Sequence, residues 1–169
     1  MATVHHRITP EQADLIREAP VFFVASVAPD LSYGPSGQGP VNLSPKGGSP
    51  LHVISDHRVA YLDYTGSGNE TARHATAGGP ITLMVMSMNA QDAAVVRLYG
   101  VATVCPIDES PLGDLLRASP AKDIELPERQ VVDVTVESTI TSCGYGVPVF
   151  ESVEQRNRSG RGRRFKQPA

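Results

Sequence analysis

Short apolar runs, separated by glycine- and proline-rich turns, dominate the hydrophobic pattern of this chain. They are too short and too rich in β-branched and aromatic residues for helices, so each predicts a strand. These predicted strands cover residues 21–27, 41–44, 51–54, 58–64, 81–88 and 93–104. A seventh, from Arg129 to Ile140, alternates valines with polar residues, which indicates one buried and one wet face.

Two of these strands carry further information. Residues 81–88 are apolar on both alternating faces, which favours a strand covered on both sides, such as a barrel strand at a subunit interface. The 93–104 strand has Gly100 near its middle, and a glycine in a strand interior indicates a bend or bulge.

The predicted helices are few and short. Thr9-Pro10-Glu11-Gln12 has the spacing of a capping box with proline at the first helical position, and the helix should end near Ala19-Pro20. Two more short helices are predicted over residues 69–76 and 110–117. Many strands without a βαβ rhythm predict a mainly β (α+β) fold, an antiparallel barrel with small helical additions.

Composition is that of a soluble globular domain, with 40% hydrophobic and 20% charged residues. No apolar run approaches the roughly 20 residues that cross a bilayer, and the N-terminus has no signal-like apolar segment. Cys105 and Cys143 match neither a disulfide framework nor a metal motif, and the five histidines show no metal-ligand spacing. We therefore expect a cytoplasmic protein with free thiols, no metal and no membrane association.

Charge is distributed unevenly along the chain. The net charge of -3 argues against a general nucleic-acid binder. Residues 1–152 form the predicted single domain, whereas residues 153–169 contain five arginines and almost no apolar residue. We interpret this segment as a flexible basic tail, with an arm that contacts an anionic partner as the alternative.

Candidate chemistry lies in two polar segments between residues 40 and 74. The first contains Lys46. The second, from Tyr64 to His74, contains Thr65, two glycines, further hydroxyl side chains and Asn69 at a helix start. Backbone N–H groups in a tight turn, hydroxyls and a cation are what a phosphate group requires. The spacing is also that of an ordinary strand-to-helix turn, so the pattern alone leaves both interpretations open.

Four motifs in this order resemble a bacterial branch of the pyridoxamine 5′-phosphate oxidase-like flavoproteins. They are Asn42-Leu43-Ser44-Pro45-Lys46-Gly47, the run from Val59 to Thr71, Arg97-Leu98-Tyr99-Gly100, and Ser142-Cys143-Gly144-Tyr145-Gly146-Val147-Pro148. The resemblance covers roughly residues 8–152. It implies a split β-barrel homodimer that binds FMN in a cleft between subunits, with the 81–88 strand close to the dimer contact.

The same resemblance assigns candidate site residues. Lys46, Ser67, Asn69 and Thr71 fall where the family holds the FMN phosphate, and Thr65 is counted with this cofactor-binding set. Asn42 and Ser44 fall on the strand beside the flavin ring. Cys143 and Tyr145 are assigned to the substrate side.

The resemblance also has limits. The oxidases proper carry an Arg-Lys pair where this chain has Glu70 and Thr71, and the arginines that bind pyridoxal phosphate have no counterpart here. The expected function is therefore an FMN-dependent oxidoreductase that acts on an unidentified small molecule, with no assigned catalytic residue. A deazaflavin- or heme-binding split barrel and a non-catalytic flavin-binding dimer are the alternatives.

Overall fold

A computed structural model describes residues 2–31, 39–66, 68–91, 93–119 and 126–151. The basic tail and most of the predicted loop between residues 29 and 39 lie outside these residues. The strands are β1 (Thr3–His5), β2 (Val21–Val27), β3 (Val41–Gly47), β4 (His52–Ser55), β5 (Arg58–Tyr64), β6 (Pro80–Met86), β7 (Ala94–Pro106) and β8 (Glu128–Cys143). The helices are α1 (Pro10–Glu18), α2 (Glu70–Thr76) and α3 (Gly113–Arg117), with a 3₁₀ turn at Ile107–Glu109.

All eight strands belong to one antiparallel sheet in the order β3-β2-β6-β7-β8-β5-β4, with β1 paired to β8. The sheet curls so that Phe22 of β2 meets Tyr61 of β5, with ring centroids 5.2 Å apart. The edge strand β3 is hydrogen-bonded to β2 but not to β5. The result is a barrel that is split between β3 and β5, as expected from the predicted antiparallel barrel.

Helix α1 begins as the sequence predicts. The Thr9 hydroxyl accepts from the Gln12 backbone N–H at 3.3 Å, and the Gln12 side chain accepts from the Thr9 N–H at 3.0 Å. This reciprocal pair satisfies two backbone donors that the first helical turn leaves open. The helix ends at Ala19, directly before Pro20. The same Gln12 amide donates to Thr141 on β8, which fastens the helix to the sheet.

Some strand bounds differ from the prediction. Strand β3 continues through Pro45 instead of ending there, because β3 is an edge strand, where a residue without an N–H is tolerated. The third helix, predicted from residue 110, begins only at Gly113. A separate 3₁₀ turn at Ile107–Glu109 precedes it. Strand β1 was not predicted, because three residues give no usable periodicity.

The core consists of two clusters on either side of β5. The larger fills the barrel and includes Phe22, Tyr61 and Leu83, all almost completely buried. The smaller lies under α3, where Leu62 and Leu116 pack with Ile107. Strand β5 therefore buries both faces, which matches its continuous apolar sequence from Val59 to Leu62. No helix among the described residues is long and apolar enough to cross a membrane.

A bulge lies at Gly100, as predicted, since the register between β7 and β8 shifts between Tyr99 and Gly100. The extra residue belongs to β8, where Glu137 has no partner on β7. A Cβ at Gly100 would collide with the backbone carbonyl oxygen of Thr135 on β8. This glycine therefore allows β7 and β8 to approach closely at the bulge.

Gly100→Ala should lower the free energy of unfolding by about 1–3 kcal/mol, because the strands must separate to admit the methyl group. The measurement is urea unfolding followed by circular dichroism. Gly146→Ala is the matched control, since its Cβ would meet nothing within 4 Å. Equal unfolding midpoints for the two variants would contradict the close approach at Gly100.

Candidate functional site

A polar cavity of about 500 Å³ occupies the split between β3, β5 and the start of α2; we call it the split cavity. Its volume lies within the usual range of small-molecule sites. Strand β3 contributes three residues, the segment after β5 contributes several more, and Arg129 at the start of β8 closes one side. The split in the barrel is thus also the opening of the site.

The alternation of β3 decides which of its side chains enter the cavity. Asn42, Ser44 and Lys46 are half-buried and line the split cavity, whereas Val41 and Leu43 on the opposite face are 64% and 67% exposed. Successive side chains of a strand point to opposite faces, so the polar residues of the motif share one side. The structure therefore brings together these three of the predicted site residues.

The carboxylate of Asp63 organises the interior of the split cavity. Its Oδ1 accepts from Lys46 Nζ at 2.7 Å, and its Oδ2 accepts from Arg129 at 2.6 Å and from the Gln130 amide at 2.9 Å. Asp63 is only 5% exposed, so these donors provide the interactions that water would otherwise supply. Both cations are thereby fixed at the cavity wall.

The ionisation of Asp63 follows from these contacts. Burial alone would raise the pKa of its carboxyl, but the hydrogen bonds from Lys46, Arg129 and Gln130 outweigh burial, and the pKa is lowered. Lys46 Nζ also lies 5.8 Å from the centroid of the Tyr61 ring. Burial, followed by the charge of Asp63, raises the pKa of the Tyr61 phenol, which therefore stays neutral.

Asn69 lines the split cavity and occupies the N-cap position of α2, as predicted, but its side chain makes no capping hydrogen bond. Its Oδ1 instead accepts from the Gln130 amide at 2.8 Å. The competing contact to β8 wins because Gln130 is buried and already held by Asp63. Asn69 thereby links the turn before α2 to the Asp63 network.

The remaining predicted phosphate residues have different surroundings. Thr71 is buried and accepts a 3.1 Å hydrogen bond from the Asn42 amide, so it lies against the residue assigned to the ring side. Thr65 is exposed and does not line the cavity; its N–H donates to the Pro127 carbonyl. Ser67 lies outside the described residues.

His74 faces away from the split cavity. Its Nδ1 lies 2.9 Å from the Ser26 hydroxyl and its Nε2 lies 3.1 Å from the Gly39 carbonyl oxygen. Because a carbonyl can only accept, Nε2 must carry a proton. His74 therefore joins α2 to β2 and to Gly39, two residues before β3, which is a structural role.

Cys143 and Tyr145 do not line the split cavity of their own chain. Gln130 lies near one end of β8 and Cys143 ends the other, paired with Ala94. At about 3.3 Å per residue, the two are separated by roughly 40 Å along the strand. Tyr145 is 87% exposed, and Cys143 is also exposed.

Among the residues that the structure describes, two buried polar atoms of the split cavity have no hydrogen-bond partner: Ser44 Oγ and Arg129 Nε. Unsatisfied buried polar groups are uncommon in folded proteins and mark places where a ligand or water binds. The lining side chains Lys46, Arg129, Asp63 and Glu70 carry formal charges that cancel. The cavity thus offers unmet donor capacity without net charge.

Sequence reasoning missed Asp63, Arg129 and Gln130. A signal for Asp63 was available, since it is the one charged residue between Val59 and Tyr64 in a strand that is otherwise apolar. For Arg129 and Gln130 no local signal exists, because 66 and 67 positions separate them from Asp63. Among the residues that the structure describes, no group of three or more histidine, cysteine, aspartate or glutamate side chains could hold a metal ion.

Comparison with known proteins links this chain to a family. The family model described as pyridoxamine 5′-phosphate oxidase matches residues 8–143. The pyridoxamine 5′-phosphate oxidase family protein ustO of Aspergillus flavus is 29% identical over 153 residues, 89% of this chain. The chain spans 58% of the length of that curated relative.

Solved structures with the same fold include two with very different sequences. HupZ from Group A Streptococcus is 22% identical, with coverage of 77% of this chain and 90% of that chain and a TM-score of 0.57. An FMN-binding protein from Syntrophomonas wolfei is 13% identical, with coverage of 83% and 89% and a TM-score of 0.57. These similarities confirm the predicted mainly antiparallel split barrel.

Asp63→Asn should destabilise the protein, because it removes the carboxylate that holds two cations. Breaking a fully buried ion pair costs about 3–5 kcal/mol, and we expect about 1–3 kcal/mol here, since solvent still reaches the cations. Lys46 and Arg129 side chains are 26% and 23% exposed. Asp133→Asn, which breaks the more exposed pair with Arg58, is the control and should cost about 1 kcal/mol or less.

The stability difference between the wild type and Asp63→Asn should also depend on pH. The pKa of Asp63 is lowered in the folded state, so its stabilisation is complete above the unfolded-state pKa of about 3.9 and is lost as pH falls through the folded-state pKa. Urea unfolding should give a constant difference above about pH 5 and a shrinking one below about pH 4. A difference that stays constant to the lowest accessible pH would be inconsistent with the ionised carboxylate.

Proposed function

This chain belongs to the pyridoxamine 5′-phosphate oxidase family, and on that premise we propose that it is a flavin-dependent oxidoreductase whose split cavity binds FMN. The observation that carries the proposal is the pair of unmet buried polar atoms, Ser44 Oγ and Arg129 Nε. Both belong to residues of the split cavity. The FMN-binding protein of the same fold supports a flavin as the ligand.

The phosphate end of FMN would lie against Lys46 and Arg129. An ammonium group has three N–H donors and a guanidinium has five, so both cations can serve Asp63 and a phosphate at once. The Asp63 carboxylate fixes their positions in advance, which reduces the side-chain entropy lost on binding. Asn69 and Thr71, with Ser67 by the family assignment, complete the proposed phosphate set.

The ring end would lie along β3, beside Asn42 and Ser44. The Ser44 hydroxyl is available to hydrogen-bond a polar edge of the ring, because it has no partner in the described part of the chain. Asn42 is oriented by its bond to Thr71. Bound flavin supplies the hydride and electron transfer, whereas these side chains orient it and tune its environment.

Homodimer formation is part of the proposal, because an apolar sheet face is exposed beside the cavity. Val41 and Leu43 project outward from the edge strand, and Ala25 on β2 lies directly opposite Leu43. Met84 of β6, opposite Phe23, is only half-buried and lies on the same outer face, which supports the proposal that β6 lies near the dimer contact. Contiguous exposed apolar surface on a soluble chain marks an interface.

The substrate side requires the same dimer. Cys143 and Tyr145 are remote from the split cavity of their own chain, so they can act there only from a second copy. The exposed side chains of Tyr145, Val149 and Phe150 give the segment after β8 an apolar surface available for such a contact. The proposed substrate is a small molecule that enters between the two subunits.

Lys46→Met should weaken FMN binding by about 10- to 100-fold, because it removes one charge-assisted hydrogen bond to the phosphate. The same substitution should weaken the binding of riboflavin, which lacks the phosphate, by less than about threefold, because at most a neutral contact is lost. The measurement is titration of flavin fluorescence with protein that was purified without added cofactor, after its visible spectrum and any released chromophore have been recorded.

Arg58→Met is the matched control for this experiment. Arg58 on β5 also forms an ion pair with a carboxylate, that of Asp133 on β8, but it does not line the split cavity. Unchanged FMN affinity in Lys46→Met would overturn the phosphate assignment. A wild-type protein that is colourless as purified and takes up no added FMN would overturn the flavin proposal and favour deazaflavin or a non-catalytic protein.

Leu43→Glu should convert the proposed dimer into a monomer and weaken flavin binding, because it places a charge in the apolar contact face. Leu43 points away from the split cavity, so a direct effect on its lining is not expected. The measurement is analytical ultracentrifugation with and without FMN. Leu115→Glu changes an equally apolar residue, 53% exposed on α3, and should leave the mass unchanged. A wild-type monomer would refute the dimer.

A further inference from the structure

A second cavity, of about 590 Å³, lies on the other side of α2, between that helix and the ends of β7 and β8. Its lining combines two arginines, Arg73 and Arg129, with an apolar wall that includes Ala72, Val104 and Pro106. It is larger than the split cavity, and it shares only Asn69 and Arg129 with the lining of the proposed FMN site. The combination of guanidinium groups and apolar wall suits a ligand that is both anionic and flat.

The two cavities meet at Arg129 and Asn69, which line both. One Arg129 nitrogen donates to Asp63 and another donates to the Gly68 carbonyl at 3.1 Å, while the buried Nε has no partner among the residues that the structure describes. Arg73 uses one donor on Glu70, at 3.0 Å, and a guanidinium has further N–H groups to offer. Arg73 and Arg129 therefore provide cationic donors next to the proposed position of the FMN phosphate.

We infer that the second cavity is a nucleotide subsite, so that the chain binds the dinucleotide FAD more tightly than FMN. The inference rests on the proposed function, because it requires the FMN portion to occupy the split cavity. A second phosphate, joined to the first, would reach Arg73 and Arg129, and the adenine would lie on the apolar wall formed by Ala72, Val104 and Pro106.

A covalent extension of the flavin fits this position better than a separate redox substrate. The second cavity adjoins the proposed phosphate end, whereas Asn42 and Ser44, which belong to the proposed ring end, line only the split cavity. A substrate must contact the ring to exchange electrons with it, and a molecule beyond the phosphate could not. An extension of the cofactor has no such requirement and gains affinity from the additional contacts.

The test compares dissociation constants of FMN and FAD for the full chain, measured by fluorescence titration. On wild-type protein, FAD should bind at least about tenfold more tightly than FMN. Thr76→Trp places a large side chain at an exposed position of α2 that lines only the second cavity. It should abolish the advantage of FAD and leave the affinity for FMN within about twofold of the wild-type value.

Thr135→Trp is the control, because Thr135 is an exposed threonine on β8 that lines neither cavity. FAD binding no tighter than FMN to the wild type would overturn the nucleotide subsite, and this comparison needs no variant. Equal losses of affinity for FMN and for FAD in Thr76→Trp would also overturn it. FMN binding with the expected dependence on Lys46 would leave the proposed function intact in either case, whereas failure of both flavins to bind would refute both proposals.

Discussion

The ion network that spans the split of the barrel is the interaction on which the site depends. Among the described strands, β3 pairs only with β2, and the sheet does not close at its outer edge. Lys46 on β3 and Arg129 on β8 instead meet at the carboxylate of Asp63 on β5. Because Asp63 is buried, its charge would be very costly without both cations, so the network fixes the two sides of the split relative to each other.

The same network explains how the proposed anion site can exist in a chain whose net charge is negative. Asp63 and Glu70 balance the charges of Lys46 and Arg129, which spares the protein the repulsion between two neighbouring cations. Their geometry is nevertheless preserved, and Ser44 and Arg129 retain donor capacity that no residue in the described part of the chain uses. The cavity is therefore organised before a ligand arrives, which lowers the entropic cost of binding.

Strand β3 serves two surfaces because of its period of two. Its inward residues Asn42, Ser44 and Lys46 are polar and line the split cavity, whereas outward Val41 and Leu43 are apolar and exposed. A one-residue change of register would exchange these faces and remove both the site and the proposed contact between subunits. The pairing of β3 with β2 along its full length, from Val41 to Gly47, prevents such a change.

The sequence by itself determined the elements whose signals are local: the capping box of α1, the bounds of β2 and β5, the alternation of β8, the bulge at Gly100, and the polar face of β3. Each depends on neighbouring residues or on a simple period, so it can be recognised without knowing the partners. Only the tertiary structure decided that Asp63, Arg129 and Gln130 form one network, that Asn69 binds Gln130 instead of capping α2, and that Cys143 lies far from the split cavity. Those outcomes depend on which strands pair and how the sheet curls, and a contact between residues more than 60 positions apart leaves no trace in the local pattern of either segment.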